Sequence, residues 1–333
     1  MGKLIVSLSP HAHGTDSVEK NMYGVIIALV PALLVSFAYF GLGSVVVCLC
    51  SVAACVFFEW AITKYMLKAA PSLTDGSAIL TGLLLGMNLP SNFPIWMIIL
   101  GALFAIGVGK MSFGGLGQNP FNPALVGRCF LLVSFPAAMT SWPVTGQLGA
   151  YTDATTGATP LSVMKQAIKS GDATVLEQLP SSLNMLLGNV GNGFGAGTVG
   201  EVCALALIIG LCYMLWKKII TWHIPVSIIA TVFVLSGLLH LSSSVYANPL
   251  QVILSGGLML GAIFMATDYV TSPMTPNGQL IYGVGIGLLT VVIRNWGSYP
   301  EGMSFAILIM NAFTPLINNY VKPKRFGEVP AEK

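Results

Sequence analysis

The residues with the clearest capacity for chemistry are the hydroxyls of one short segment in the middle of the chain. This segment, Asp153-Ala154-Thr155-Thr156-Gly157-Ala158-Thr159, lies in the only long polar stretch of an otherwise apolar sequence. A threonine hydroxyl can carry a phosphoester, and small neighbours such as Gly157 and Ala158 would let a modifying enzyme close around the backbone. The same residue types also form ordinary turns through local hydrogen bonds. The segment alone fits both interpretations, so the rest of the chain has to distinguish them.

The spacing resembles D-x-x-[ST]-G-A-T, the flavin-attachment signature of membrane redox subunits. In that signature a flavin transferase joins the phosphate of FMN to the last hydroxyl, which here is Thr159. Asp153 and Thr156 complete the pattern, and Gly157 and Ala158 precede the acceptor. The resemblance therefore predicts these five residues as cofactor-binding, with Thr159 as the phosphoryl acceptor, and it predicts no catalytic side chain among them.

The composition identifies the kind of protein that presents this segment. The 333 residues are 55% hydrophobic and only 8% charged, with a mean hydropathy of +0.80. These values exclude an ordinary water-soluble globule and predict an all-α polytopic membrane protein. The net charge of +3 is small and the basic residues are scattered, so no nucleic-acid partner is predicted. The cysteines form no C-x-x-C pair and the histidines lack the spacing of a metal set, so no metal is predicted.

A helix that crosses a membrane needs about 20 apolar residues, and ten runs approach that length. They lie near 22–40, 44–63, 77–89, 94–109 and 121–138 in the first half, and near 201–216, 219–240, 250–267, 279–296 and 302–320 in the second. The third run is short and rich in glycine, and it ends at Asn88-Leu89-Pro90. It is interpreted as a broken or partly re-entrant helix, which is tolerated only where protein or a cavity surrounds it.

These spans divide the chain into five parts. They are an N-terminal segment 1–21, a first five-helix repeat 22–138, a polar loop 139–200, a second five-helix repeat 201–320 and a tail 321–333. Lysine and arginine are more frequent on the side of the N-terminus, so the positive-inside rule predicts that both termini are cytoplasmic. The loop that carries Thr159 is then predicted on the outer, periplasmic face.

A short internal repeat agrees with this division. Ile79-Leu80-Thr81-Gly82 recurs as Ile253-Leu254-Ser255-Gly256, in the third span of each half. Because five spans per half is an odd number, the two halves are predicted to be inverted, an arrangement in which interrupted helices build a site near the membrane midplane. The alternative is coincidence between membrane helices in which glycine is frequent.

Ionisable side chains inside spans are candidates for function because each costs roughly 2.5–3.5 kcal/mol to insert. Glu59 is interpreted as a residue near the inner interface, with a role in an ion path as the alternative. Arg128 is expected to pair with a carboxylate or with a flavin or lipid phosphate. Asp75, Lys110 and Asp268 flank spans and are predicted to be interfacial.

A glycine-rich run, residues 188–200, precedes the second repeat. It contains a literal G-x-G-x-x-G at residues 195–200. No strand precedes it, and no acidic residue follows at the distance that holds a ribose, so a dinucleotide site is excluded. A flexible loop leading into Glu201 is predicted instead.

Over nearly its whole length the sequence resembles the family that holds the D subunit of the Rnf electron-transport complex and the B subunit of the sodium-pumping NADH:quinone reductase. Three groups of residues carry the resemblance. They are Ser9-Pro10-His11 with Ser17-Val18 and residues 28–31, the loop 114–123, and the signature 153–159 continuing into Pro160-Leu161. The quinone-reductase subunits typically have a longer N-terminal extension, so the Rnf D subunits are preferred.

The resemblance implies a subunit in the bacterial inner membrane, part of an ion-translocating ferredoxin:NAD oxidoreductase. It would relay electrons through covalent FMN at Thr159 while the complex moves Na⁺ or H⁺. A second, non-covalent flavin is also implied, at a position that the sequence does not give. The implied partners are the A, B, C, E and G subunits, among them a second covalently flavinylated subunit, together with a flavin transferase and membrane lipid.

Two alternatives remain at this point. One is a B subunit of the sodium-pumping NADH:quinone reductase. The other is a solute channel, because an inverted five-plus-five arrangement is urea-transporter-like and a fold does not decide a function. A channel of that fold has no need for an outward D-x-x-T-G-A-T, whereas an electron carrier does.

Overall fold

The computed structural model describes residues 17–68, 73–191, 193–299 and 301–322. The predicted segments 1–21 and 321–333 lie largely outside these residues, as does the Ser9-Pro10-His11 stretch. In the described part the regular structure is helical, apart from two isolated β-bridges. The prediction of an all-α protein is confirmed.

Five helical segments form the first half, and each coincides with a predicted span. They are α1 (Val18–Phe40), α2 (Leu42–Ala61, continued by a π-helix at Ile62–Met66), α3 (Ser77–Met87), α4 (Ile95–Leu103, continued by a π-helix at Phe104–Val108) and α5 (Pro123–Ser134). Helix α5 begins at a cap typical of the sequence Asn-Pro: Asn122 Oδ1 accepts from Ala124 N at 3.1 Å, and Pro123 fills the first helical position. It ends earlier than predicted because Pro136 disfavours helical geometry at Phe135. A separate turn, α6 (Pro136–Met139), follows.

The polar segment between the halves contains two further helices. They are α7 (Pro160–Ser170) and α8 (Ser182–Leu187), with a 3-10 helix at Ala173–Gln178 between them. Helix α7 is fixed to the membrane part by Lys165, whose Nζ donates to Gly297 O at 2.6 Å and to Tyr299 O at 2.7 Å. Burial, and then the charge of Lys169, lower the pKa of Lys165.

The second half again consists of five helical segments at the predicted places. They are α9 (Ala204–Trp216), α10 (His223–Ser242), the broken segment α11 (Pro249–Leu254) and α12 (Leu258–Leu260) with a π-helix at Gly261–Met265, then α13 (Pro276–Trp296) and α14 (Met303–Tyr320). In the described residues, five helices are long and apolar enough to cross a membrane by length and composition. Large side chains such as Leu49, Phe57, Val133, Phe233 and Leu241 are exposed on the outside of the bundle. An apolar outer surface of this kind matches lipid, so the chain is a multi-pass membrane protein.

The first helices of the two halves run in opposite directions. Near the start of α1, a Cβ on Gly24 would lie 2.6 Å from Ile219 Cδ1, and Ile219 lies just beyond the end of α9. Near the end of α1, Ser36 Oγ donates to Val199 O, and Val199 lies just before the start of α9. The antiparallel packing is what an inverted pair of repeats requires.

The third span is broken, as predicted. Helix α3 has 11 residues, after which the chain continues without helical structure. The glycine-rich run supplies partners for the unwound backbone: Val199 N donates to Leu89 O at 3.0 Å, and Gly200 N donates to Met87 O at 2.7 Å. Residues 196–200 are buried. The end of the run is therefore a packed segment, and there the prediction of a flexible loop was wrong, because lipid offers no substitute for these hydrogen bonds.

The short repeat in the two third spans has two different structural causes. Gly82 lies inside α3, where a Cβ would lie 2.6 Å from Val52 Cα, so glycine there permits close helix packing. Gly256 lies at the break between α11 and α12 and has a φ of +66°, a left-handed conformation that favours glycine. The similarity of the two sequences therefore does not reflect equivalent positions.

Candidate functional site

Thr159 occupies the N-cap of α7. Its Oγ1 accepts a hydrogen bond from Ser162 N at 3.2 Å, and Ser162 Oγ donates to Thr159 O at 2.7 Å. Pro160 fills the first helical position, where a backbone N–H would have no helical partner in any case. The N–H group of Ser162 and the positive end of the helix dipole therefore lie at the Thr159 hydroxyl. Such an environment stabilises a phosphate group.

The structure separates the five signature residues into two groups. Thr159 is buried, whereas Asp153, Thr156 and Ala158 are exposed and Gly157 is half-buried. Of the five, Thr159 alone lines the cleft described below. The exposed residues are accessible to a modifying enzyme, and their role in recognition stays a prediction.

Gly157 has a packing role that the pattern did not indicate. Gly157 N donates to Trp142 O at 2.9 Å, and Gly195 N donates to Ala158 O at 3.1 Å, so the glycine-rich run lies directly on the signature segment. A Cβ on Gly157 would lie 2.4 Å from Gly193 O. Glycine is needed at position 157 because two backbones approach each other there.

A cleft opens beside Thr159. Its walls include the aromatic ring of Trp142, apolar side chains of α7 and α8, and two carboxylates, Glu201 and Glu301. Concave sites with mostly apolar walls and a few convergent polar groups are typical of cofactor pockets. The residues present therefore fit a ring system tethered at Thr159.

An ion pair is buried next to this cleft. Arg128 of α5 donates through Nη1 to Glu301 Oε1 at 3.2 Å and through Nη2 to Glu301 Oε2. It also donates to Ser304 Oγ at 2.6 Å. A two-point contact with a carboxylate is the geometry that a guanidinium favours. Of the partners expected for Arg128, the carboxylate is confirmed.

Glu201 and Arg294 extend the pair to a buried cluster of four charges. Arg294, near the end of α13, donates to Val252 O at 2.8 Å and to Ser255 O at 3.0 Å, so it closes the break after α11. Glu201 Oε2 accepts from Thr198 N at 3.3 Å. Its Oε1 has no hydrogen-bond partner among the described residues, and Arg128 Nη2 lies 4.0 Å from it.

The break in the eighth span makes room for both carboxylates. Gly257 N donates to Glu301 Oε1 at 3.1 Å. A Cβ on Gly257 would lie 2.3 Å from Glu301 Oε1 and 2.9 Å from Glu201 Oε1. An interrupted helix therefore builds a polar site, as the inverted architecture predicted, and the site adjoins the cleft beside Thr159.

Three members of this cluster were missed in the sequence. Glu201 was predicted only as the residue that follows a loop, and no role was predicted for Arg294 or Glu301. The pairs Gly200-Glu201 and Glu301-Gly302 each place an acidic residue beside a glycine at the boundary of a span, which is a signal that the sequence offers. The fold brings Glu201 and Glu301 to Arg128, and sequence spacing does not reveal this proximity.

A second cleft lies at the opposite end of the protein, where α1 and α3 begin. Lys110 lines it and is 2% exposed; its Nζ donates to Glu59 Oε2 at 2.7 Å and to Ser77 Oγ at 2.6 Å. Both side chains are buried in the protein, and their predicted position near the inner interface stays a prediction. Each charge is tolerated inside because it is paired with the other. Asp268 and Asn122 also line this cleft.

Comparison with known proteins shows sequence similarity along nearly the whole chain. The sequence model of the NQR2, RnfD, RnfE family matches residues 5–327. The chain is 44% identical over 333 residues to the D subunit of the Na(+)-translocating ferredoxin:NAD(+) oxidoreductase complex of Acetobacterium woodii, a match that covers 99% of this chain and 97% of that protein. It is 42% identical over 323 residues to the D subunit of the proton-translocating ferredoxin:NAD(+) oxidoreductase complex of Clostridium ljungdahlii, with 97% and 96% covered.

A third relative is the D subunit of the ion-translocating oxidoreductase complex of Yersinia pseudotuberculosis, 37% identical over 361 residues, with 98% of this chain and 99% of that protein covered. The matched range, residues 5–327, thus contains the ten helical segments, the segment that carries Thr159 and the residues of the buried cluster. From the match over residues 5–327 and these full-length relatives, the chain belongs to the NQR2, RnfD, RnfE family.

Proposed function

We propose that this chain is the D-type subunit of an ion-translocating ferredoxin:NAD(+) oxidoreductase complex and relays electrons through FMN bound by a phosphoester to Thr159 Oγ1. The observation that carries the proposal is the position of Thr159. The acceptor hydroxyl of the signature caps an 11-residue helix and lines a cleft with aromatic and carboxylate walls. The flavin supplies the electron transfer, and the protein supplies tethering, orientation and electrostatic tuning.

Each part of the site has a role in holding the group. Ser162 donates through its backbone N–H at the N-terminus of α7, where a phosphate takes over the capping role of the threonine hydroxyl. Trp142 offers an aromatic face in the cleft, and the apolar walls exclude water from the ring. A covalent link prevents loss of the cofactor from an outward-facing site.

The site is proposed to lie on the periplasmic face of the bacterial inner membrane, with both termini in the cytoplasm. The asymmetry of lysine and arginine between the two sides supports this orientation. The proposed partners are the A, B, C, E and G subunits, including a second flavinylated subunit on the same face that exchanges electrons with this one. The names of the relatives specify Na⁺ in one case and protons in another, so either coupling ion fits the family.

A second, non-covalent flavin is proposed for the cleft at the cytoplasmic end. That cleft combines apolar walls from Leu80, Met214 and Phe264 with the polar groups of Lys110 and Asn122. This mixture suits a planar ring with hydrogen-bonding edges. We expect acid extraction of a purified Thr159→Ala chain to release flavin, and a chain with no extractable flavin would contradict the assignment.

Covalent attachment is tested on the denatured chain after co-expression with a flavin transferase. We expect fluorescence under ultraviolet light to survive denaturation in wild type and to map to Thr159 by peptide mass spectrometry. Thr159→Ala should abolish it, because no oxygen remains to carry the phosphoester, and Thr159→Ser should retain part of it. Thr155→Ala is the matched control: its hydroxyl is exposed and occupies a free position of the signature, so attachment should be unchanged.

A dark wild-type band would overturn the proposal, provided that the same transferase modifies a known flavoprotein in parallel. Uptake of small solutes into vesicles would then test the channel alternative. Retained fluorescence in Thr159→Ala would place the link on another residue and remove the role assigned to the helix N-terminus.

A further inference from the structure

The Glu201 carboxylate has an unused hydrogen-bond acceptor in the cleft beside Thr159. The Glu201 side chain is 6% exposed and lines the cleft. Its Oε1 has no hydrogen-bond partner among the described residues. Because a buried carboxylate oxygen without a donor is unfavourable, this oxygen is expected to meet a donor in the working protein.

The terminal nitrogens of the two nearby arginines donate to other acceptors, and Arg128 Nη2 lies 4.0 Å from Glu201 Oε1, too far for a hydrogen bond. Both terminal nitrogens of Arg128 donate to Glu301. Those of Arg294 donate to two backbone carbonyl oxygens at the helix break. Gly257 N donates to Glu301 Oε1. No group of the described residues donates to Glu201 Oε1, so a group that enters the cleft can supply the donor.

We propose that Glu201 is a positioning residue for the flavin, and that its Oε1 accepts a hydrogen bond from the N–H edge of the isoalloxazine ring. The inference rests on the attachment at Thr159 proposed above, because a flavin tethered there shares the cleft with Glu201. The oxidised ring carries a single N–H, at N3, and a carboxylate is a strong acceptor for it. Trp142, on the wall of the same cleft, offers a face against which the ring can pack.

Burial, and then the charge of Glu301, raise the pKa of Glu201 to about 8, so the potentials are compared at pH 9, where Glu201 is ionised. At that pH its negative charge beside the ring also acts on the redox equilibrium of the flavin. Reduction adds negative charge to the ring, and an adjacent carboxylate in a water-poor site opposes it. Glutamine has the same shape and retains an acceptor oxygen, but it lacks the charge. Glu201→Gln is therefore expected to leave the covalent link intact and to make the flavin easier to reduce.

The experiment compares the full-length wild-type chain with Glu201→Gln and Glu177→Gln, each co-expressed with a flavin transferase. Glu177 is an exposed glutamate in the same polar segment and is the matched control. Flavin load is measured by fluorescence of the denatured band, ring environment by visible circular dichroism, and reduction by spectroelectrochemical titration. The signal of non-covalent flavin is measured in the Thr159→Ala chain and subtracted.

For Glu201→Gln we expect a wild-type flavin load, a changed dichroism band and an equilibrium constant for two-electron reduction about tenfold larger, which corresponds to about 30 mV. Glu177→Gln should match wild type in all three measurements. A fully loaded Glu201→Gln chain with unchanged potential and dichroism overturns this inference and leaves the proposed function standing. A wild-type chain without covalent flavin overturns the proposed function itself.

Glu201→Asp is the second variant, in case glutamine prevents folding. It keeps the charge but withdraws the carboxylate by one methylene, so a smaller shift of potential in the same direction and a changed dichroism band are expected. A folded and fully loaded Glu201→Asp chain that matches wild type in both measurements contradicts the inference.

Discussion

At Thr159, one oxygen serves both the proposed acceptor chemistry and the capping of a helix. Its Oγ1 accepts from Ser162 N, so the residue stabilises α7 before any modification. Replacing a capping threonine by alanine typically costs about 1 kcal/mol. In chains without flavin, we expect Thr159→Ala to speed amide hydrogen exchange in α7, whereas Thr159→Ser, which keeps the oxygen, should resemble wild type. Equal protection in wild type and Thr159→Ala would contradict the capping role.

The pair of Lys110 and Glu59 makes a separate prediction about stability. Lys110→Met leaves the buried Glu59 carboxylate without its cation, and removing one partner of a buried pair typically costs about 3–5 kcal/mol. We expect a clear drop in the thermal unfolding temperature of the detergent-solubilised chain. Lys64→Met, at an exposed lysine of the same end, is the control and should unfold close to wild type.

The double variant Glu59→Gln with Lys110→Met decides whether the missing partner is the cause. It removes both charges, so most of the lost stability should return. A double variant as unstable as Lys110→Met would show that packing of the lysine side chain, rather than the unpaired carboxylate, is responsible.

At the scale of elements, the signature segment and the glycine-rich run stabilise each other. A Cβ on Gly157 would lie 2.4 Å from Gly193 O, so Gly157→Ala should push the run away from the signature. Relieving such overpacking typically costs about 1–3 kcal/mol. We expect faster hydrogen exchange in residues 193–200 and at the unwound end of α3, whose carbonyl oxygens lose their donors. Gly149→Ala is the control, because nothing lies within 4 Å of a Cβ there.

The same pairing bears on the timing of flavin attachment. Thr159 is 7% exposed in the folded chain, and the run is hydrogen-bonded to Ala158 just before it. Attachment is therefore expected before the run docks. Gly157→Ala loosens the run and leaves Thr159 accessible, so the amount of attached flavin should not fall for lack of access. A lower amount of attached flavin would indicate that the transferase recognises Gly157 itself.

At the scale of the whole molecule, the two inverted halves meet at the buried cluster. Arg128 comes from the last helix of the first half, and Glu301 lies just before the last helix of the second. The break between α11 and α12 supplies Gly257, and the glycine-rich run supplies Glu201. The cluster that borders the cleft is therefore built from both halves of the protein and from the interrupted span.

Orientation in the membrane is a prediction for the whole molecule. Gln166 in α7 and Gln118 in the loop before α5 are both exposed and lie at opposite ends of the protein in the proposed topology. In whole cells, a cysteine at Gln166→Cys should react with a membrane-impermeant maleimide, and one at Gln118→Cys should react only after lysis. The reverse pattern would place Thr159 in the cytoplasm and contradict the proposed topology.

The positions of the helices could be predicted from the sequence because membrane insertion depends on the length of an apolar run. The ten predicted runs all correspond to helical segments. The bounds differ where a local rule competed: α5 ends before Pro136, and the eighth span breaks at Gly256. The packing of the end of the glycine-rich run and the pairing of Lys110 with Glu59 were not predicted, because each depends on a partner far away in the chain.

The sequence by itself determined the membrane class, the ten segments and the candidate acceptor Thr159, because composition, run length and short patterns are properties of neighbouring residues. Only the tertiary structure decided that Arg128 meets Glu301, 173 positions away, and that Glu201 lines the cleft beside Thr159. Charges are admitted to an apolar interior when partners and backbone donors converge on them. Which residues converge depends on how the helices pack, and the linear pattern does not carry that information.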